Sequence, residues 1–146
     1  MSAEHFIDTN VFLYHLDDAD ARKHDIAARL IRNGIATGSG CISHQVVQEC
    51  LNVALRKAHI PLDHAGAGAY LRTVLSPLWR IMPSQALYQR GIDIQARYRF
   101  SFYDALIVAA ALEAGCARLY SEDLQHGQRI DKLTVENPFL DKWVDK

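Results

Sequence analysis

Short apolar runs alternate with helix-spaced apolar stripes along the chain. Residues 4–8 predict a brief strand ending on an acid, Asp8, with Val11-Phe12-Leu13-Tyr14 forming a helical turn or two beyond it. Residues 20–32 carry Ile26, Ala27, Leu30 and Ile31 on one helical face, and Gly34 is expected to close that helix. Residues 40–43 read as a second strand. The helix expected over 44–58 buries Val46, Val47, Cys50, Leu51, Ala54 and Leu55. A weaker helix is expected over 62–75, where Gly66 and Gly68 lower the propensity and Pro77 stops it. Residues 78–83 predict a third strand, and Ser84 caps a helix reaching about Arg97.

Residues 102–114 are apolar almost all round, the pattern of a helix buried on most sides, with Ser101 as its cap and Gly115 at its end. Asp104 breaks that pattern, because Ile107, Val108 and Ala111 share its stripe. Residues 117–121 predict a fourth strand, a loop through Glu122 and Asp123 follows, and a last strand lies near 132–135. Strands alternating with helices imply an α/β fold, a three-layer α/β/α sandwich around a mainly parallel central sheet. In such a sheet the carboxyl edge collects residues that end strands, open the following helices, or begin a helix that leads back into a strand. Asp8, Glu49, Asp104 and Asp123 all fall at that edge.

At 146 residues the chain is long enough for one domain with a sizeable core, taken as 1–146. It has no apolar run of membrane-spanning length, and its start shows no signal-peptide pattern, so no membrane association and a cytoplasmic location are expected. The three cysteines stand far apart among apolar neighbours, as reduced buried thiols do, and the histidines show no zinc spacing. A net charge of −1 argues against a surface that coats nucleic acid broadly.

Each acid has an ordinary reading by itself. Asp8 suits a helix cap or Asx-turn, Glu49 a solvated helix margin, Asp104 a first-turn acid, and Asp123 a loop in which Glu122 is its rival. Together they demand more. Like charges about 4 Å apart repel by roughly 4 kcal/mol at an effective dielectric near 20, so gathered carboxylates need a cation or raised pKa values. Oxygen donors without nearby His or Cys point to Mg²⁺ or Mn²⁺.

Asp8-Thr9-Asn10 after a strand, the mid-chain Glu49, the run 100–107 around Asp104, and Leu119-Tyr120-Ser121-Glu122-Asp123-Leu124 closely resemble the PIN-domain ribonucleases, with VapC-type toxins the nearest branch. The resemblance covers essentially the whole chain. It implies a metal-dependent endoribonuclease in which Asp8, Glu49, Asp104 and Asp123 hold one or two divalent ions, and Asn10 and Ser121 assist by hydrogen bonding. It also implies an RNA substrate, a cognate antitoxin and a homodimer. Because acids repel an RNA backbone, basic residues should flank them: Arg97 and Arg99 are the candidates, with Arg56 and Lys57 behind. Tyr98, Phe100 and Tyr103 suit either core packing or base stacking. Ile26, Leu30, Leu51 and Leu55 suggest a groove for an amphipathic antitoxin segment. Two other readings stand beside this one: a catalytically silent module of the same fold, and an Asp8-based phosphatase or receiver-like domain. The last lacks the second aspartate, since position 10 is Asn.

Overall fold

The computed structural model describes residues 3–56, 60, 62–141 and 143. Six strands, β1 (His5–Ile7), β2 (Gly40–Ser43), β3 (Trp79–Ile81), β4 (Arg118–Tyr120), β5 (Arg129–Ile130) and β6 (Leu133–Glu136), form one sheet in the order β3-β2-β1-β4-β6-β5. All pairings are parallel except β5 with β6. Helices α1 (Thr9–Leu16) and α2 (Ala21–Thr37) connect β1 to β2, and α3 (His44–Arg56), α4 (His64–Tyr70) and α5 (Ser76–Leu78) connect β2 to β3. Helices α6 (Gln85–Tyr98) and α7 (Phe102–Glu113) then return the chain across the sheet to β4. Right-handed crossovers put the helices of the outward path and of the return path on opposite faces. The sequence-based expectation of a mainly parallel sheet between helical layers is met.

That reversal of direction falls between β1 and β4, the position where open α/β sheets leave a crevice at their carboxyl ends. Residues Ala105 to Ala111 of α7 are all buried, as the all-round apolar pattern demands. Ser101 caps the helix by accepting the Asp104 N–H at 3.1 Å. Gly115, at φ +76°, ends it in a Schellman turn, with Cys116 N–H donating to the Ala111 carbonyl at 3.1 Å. All three cysteines are buried free thiols.

Four local expectations need correction. Gly34 does not close its helix; α2 runs on to Thr37 and ends at Gly38 in the left-handed conformation. Gly34 instead lets α2 lie against β2, where a Cβ on Gly40 would stand 2.9 Å from the Gly34 Cα. Leu55 is 61% exposed rather than buried. The helix expected over 62–75 divides into α4, a π turn over Leu71–Leu75, and α5, with Pro77 inside the last turn rather than past it. Pro77 directly follows the π turn, where the hydrogen-bond register of the helical run shifts, the Ser76 N–H donating to the Leu71 carbonyl. Strand β5 is an addition, too short to carry a two-residue period. Residues 57 and 58, expected to extend α3, lie outside the described residues. Among the described residues no helix is long and apolar enough to cross a membrane.

The close approach of α2 to β2 yields a stability prediction. Gly40→Ala pushes a methyl onto Leu78 Cδ2 at 2.8 Å and onto the Gly34 backbone, which cannot swing aside as a side chain does. It should lower the unfolding free energy by about 1–3 kcal/mol, read as a shift of the denaturant midpoint at unchanged slope.

Candidate active site

Asp8 leaves β1 and caps α1 in one step. Its backbone N–H continues the ladder by donating to the Tyr120 carbonyl at 3.0 Å, and its Oδ1 accepts the Thr9 N–H at 2.7 Å. The Ser121 hydroxyl, at the end of the neighbouring β4, donates to Oδ2 at 2.7 Å. The capping role and the site role therefore coexist on one carboxylate. Asn10, in the first turn of α1, spans two acids: its Nδ2 lies 3.1 Å from Asp123 Oδ2 and 3.5 Å from Asp8 Oδ2. The Ser121 oxygen also accepts the Asp123 N–H at 3.2 Å, which ties the loop after β4 to the end of β1.

Glu49 reaches the same place from the second turn of α3, where the Thr9 hydroxyl donates to its Oε1 at 2.7 Å. Asp104 arrives from the first turn of α7. A cleft of about 430 Å³ is lined by Asp8, Glu49, Asp104 and Asp123 together with Asn10 and Gln45. Four carboxylates from segments far apart in sequence thus share one hollow. A larger hollow, of about 550 Å³ beside Arg90, Leu112, Cys116, Asp131 and Lys132, mixes charges of both signs.

Among the described residues no Lys, Arg or His forms an ion pair with any of these four acids. Burial pushes Asp8 up from 3.8 to about 7; the hydrogen bonds from Ser121 and Thr9 oppose that rise, and the charges of Asp123 and Glu49 add to it. Burial likewise raises Asp104, against a hydrogen bond from Ser101 and with help from Asp123. Among the described residues no three His, Cys, Asp or Glu side chains converge closely enough to coordinate one ion directly. A hard divalent cation suits the cleft by donor chemistry and charge: the donors are oxygen, and their negative charge is unbalanced. The side chains do not form a closed cage, so bound water would complete the coordination, as Mg²⁺ commonly requires.

Glu122 and Asp123 differ in their contacts. Glu122 turns away to Tyr14 and Lys23, the latter at 2.6 Å, whereas Asp123 faces Asn10 and the cleft. Arg97 and Arg99 are exposed at the C-terminal end of α6, with Arg97 over the Tyr98 ring and Arg99 in the left-handed conformation at φ 62°. Arg56 is exposed at the end of α3, and Lys57 lies outside the described residues. Tyr98 and Phe100 stack on each other, half-buried against the core, whereas Tyr103 is 66% exposed. Leu30 is core, so of the four residues suggested to line a groove only Leu55 is fully open, while Ile26 and Leu51 are partly covered.

Two residues escaped sequence reasoning. Thr9 holds Glu49, and Gln45 donates from Nε2 to the Tyr103 carbonyl at 3.1 Å, fixing α3 to the start of α7 beside Asp104. Thr9 stands inside the quoted Asp8-Thr9-Asn10 run, so a signal existed there. Gln45 offers none beyond being a polar residue in the first turn after a strand.

The chain belongs to the PIN-domain family, whose family model matches residues 5–132. Its fold is similar to that of the VapC20 toxin of Mycobacterium tuberculosis, described as cleaving the sarcin–ricin loop (24% identity, 81% of this chain and 88% of that one, TM-score 0.59). It is also similar to a chain of a toxin–antitoxin complex from Klebsiella pneumoniae (19% identity, 93% and 98%, TM-score 0.63). A third similar structure is VapBC2 from Rickettsia felis bound to a promoter DNA fragment (17% identity, 91% and 97%, TM-score 0.66). No curated protein matches the chain.

The raised Asp8 pKa fixes the sign of a pH effect. In the folded protein this carboxyl keeps its proton up to about pH 7, whereas unfolded it would lose it near 3.8. Folding without a cation therefore takes up a proton between those values, and stability falls as pH rises through that window, by about 4 kcal/mol at most. Asp8→Asn should remove this slope: in EDTA the variant should melt above the wild type at pH 8 and close to it near pH 4. Melting curves at both pH values check it.

Proposed function

We propose that the chain is a divalent-metal-dependent endoribonuclease, the toxin of a toxin–antitoxin pair, working as one PIN domain over residues 1–146. The observation that carries this reading is the cleft itself, with four acids from distant segments and no basic partner among the described residues. A fold tolerates such a concentration of charge where a cation offsets it. Membership of the PIN family and the likeness to VapC-type structures support the ribonuclease and antitoxin parts of the reading.

Asp8, Asp104 and Asp123 would hold Mg²⁺ or Mn²⁺, directly or through water, with Glu49 binding a second ion or orienting water. A bound divalent ion supplies Lewis-acid stabilisation of charge on the phosphate and acidifies water. The chain's own groups do the rest. Ser121 and the Thr9 N–H keep Asp8 oriented, and Asn10 holds Asp123 against it. The Thr9 hydroxyl fixes the Glu49 carboxylate through Oε1, so that Glu49 would meet a second ion or a water in a set orientation. Arg97 and Arg99 offset the repulsion between the acids and the RNA backbone. The natural partners are then RNA, an antitoxin and a second copy of the chain, and the site of action is the cytoplasm.

Purified protein with Mn²⁺ should cleave structured RNA and lose that activity in EDTA, while Asp8→Asn and Asp104→Asn should reduce cleavage to background with the fold intact by circular dichroism. Mn²⁺ should also raise the melting temperature of the wild type by the stabilisation that ligand binding confers, and leave Asp8→Asn unmoved. Equal cleavage by wild type and Asp104→Asn would falsify the assignment. A silent module of this fold predicts no Mn²⁺-dependent rise at all.

A further inference from the structure

Glu122 stands between Ser121, which hydrogen-bonds Asp8, and Asp123, which lines the cleft. Both of its carboxylate oxygens are engaged on the side away from the acids. Tyr14 of α1 donates to Oε1, and Lys23 of α2 donates to Oε2 at 2.6 Å while also lying 3.0 Å from the Tyr14 hydroxyl. The Lys23 ammonium lies 4.7 Å from the Tyr14 ring centroid and 5.8 Å from that of Phe139, and those two rings meet edge to face at 4.8 Å. The side chains of Lys23 and Glu122 are 26% and 27% exposed, so the pair works in partly dry surroundings where attraction exceeds that of a surface pair. Phe139 lies beyond residue 132, the last one matched by the family model.

We infer that Lys23 is a positioning residue: by holding Glu122 on the α1–α2 side, it keeps Asp123 turned toward Asn10 and the cleft. The inference rests on the metal-dependent reading above for its consequence. Without Lys23, the Glu122 carboxylate is an unpaired charge one residue from Asp123, and it adds a fifth negative group to a cluster already short of compensation. The loop then relaxes toward solvent, and the Asn10–Asp123 hydrogen bond, 3.1 Å long, is the first contact to go. Lys23 touches neither substrate nor cation; it acts through Glu122 and the backbone between Ser121 and Asp123.

The test uses the full chain and two readouts besides activity: the NMR resonances of the Asn10 side-chain amide without metal, and calorimetric titration with Mn²⁺ alone. Lys23→Met should move the Asn10 amide toward the position of a solvated amide and weaken Mn²⁺ binding about tenfold, the usual size of an outer-shell effect. Lys23→Arg should do neither. The double variant Lys23→Met with Glu122→Gln should recover most of the affinity, because the stray charge is gone. Should Lys23→Met fail to fold, Lys23→Gln gives the same two readouts, with the same shift of the Asn10 amide and the same loss of Mn²⁺ affinity expected. An unchanged Asn10 amide and unchanged Mn²⁺ affinity, whatever happens to the melting temperature, overturn the inference. A wild type that binds no Mn²⁺, with the Asn10 amide still responding to Lys23→Met, overturns the metal reading and supports the placement of Asp123 by Lys23.

Discussion

A carboxylate taken out of water costs several kcal/mol unless neighbouring groups or an ion compensate it, and Asp8 is 5% exposed at the junction of β1 and α1. The protein compensates it only in part. The Ser121 hydroxyl and the Thr9 N–H favour the charged form, while burial and two further acids oppose it, and the balance leaves Asp8 poised near neutrality. The other features of the cleft follow from that half-settled account. Asn10 bridges rather than neutralises, and Thr9 orients Glu49 without adding positive charge. The nearest lysine in the loop's own network is spent on Glu122. The cleft is left with more negative charge than its own groups balance.

The scaffold earns its rigidity where the acids are anchored. Asp8 and Ser121 directly follow the paired ends of two adjacent parallel strands, Ile7 and Tyr120, so their separation is set by the β1–β4 ladder. Glu49 and Asp104 ride on helices whose starts are linked through Gln45 and the Tyr103 carbonyl. Helix α7 is buried along Ala105 to Ala111, which leaves its first turn little freedom to wander. Asp8, Glu49 and Asp104 are thus held by regular elements or their ends, and Asp123 alone stands in a loop, tied back by Ser121 and Asn10.

Most of this was legible in the residues because two periodicities and a topological rule suffice to put strand ends and helix starts on one edge. The four acids could be gathered from sequence for that reason. What was not legible depended on contacts that pattern carries poorly. Gly34 looks like a stop signal, and it is instead the point where α2 approaches β2 too closely for a side chain. Leu55 fits an apolar stripe whose margin happens to face outward. Glu122 and Asp123 are chemically alike, and what separates their placement is the position of Tyr14, Lys23 and Asn10, about a hundred residues away in sequence. Gln45 works through a backbone carbonyl, a partner with no sequence signature.

The bond from Asp8 to the Tyr120 carbonyl and the one from Ser121 to Asp8 join the two ends of the matched region across more than a hundred intervening residues. Closing so long a loop is the slow, entropically expensive part of folding for such a topology. A nascent chain still on the ribosome therefore carries Asp8 and Glu49 long before it can assemble the pocket, and any fragment ending ahead of β4 lacks both Ser121 and Asp123. The pocket is in this way a late product of synthesis, completed only when the last strands emerge.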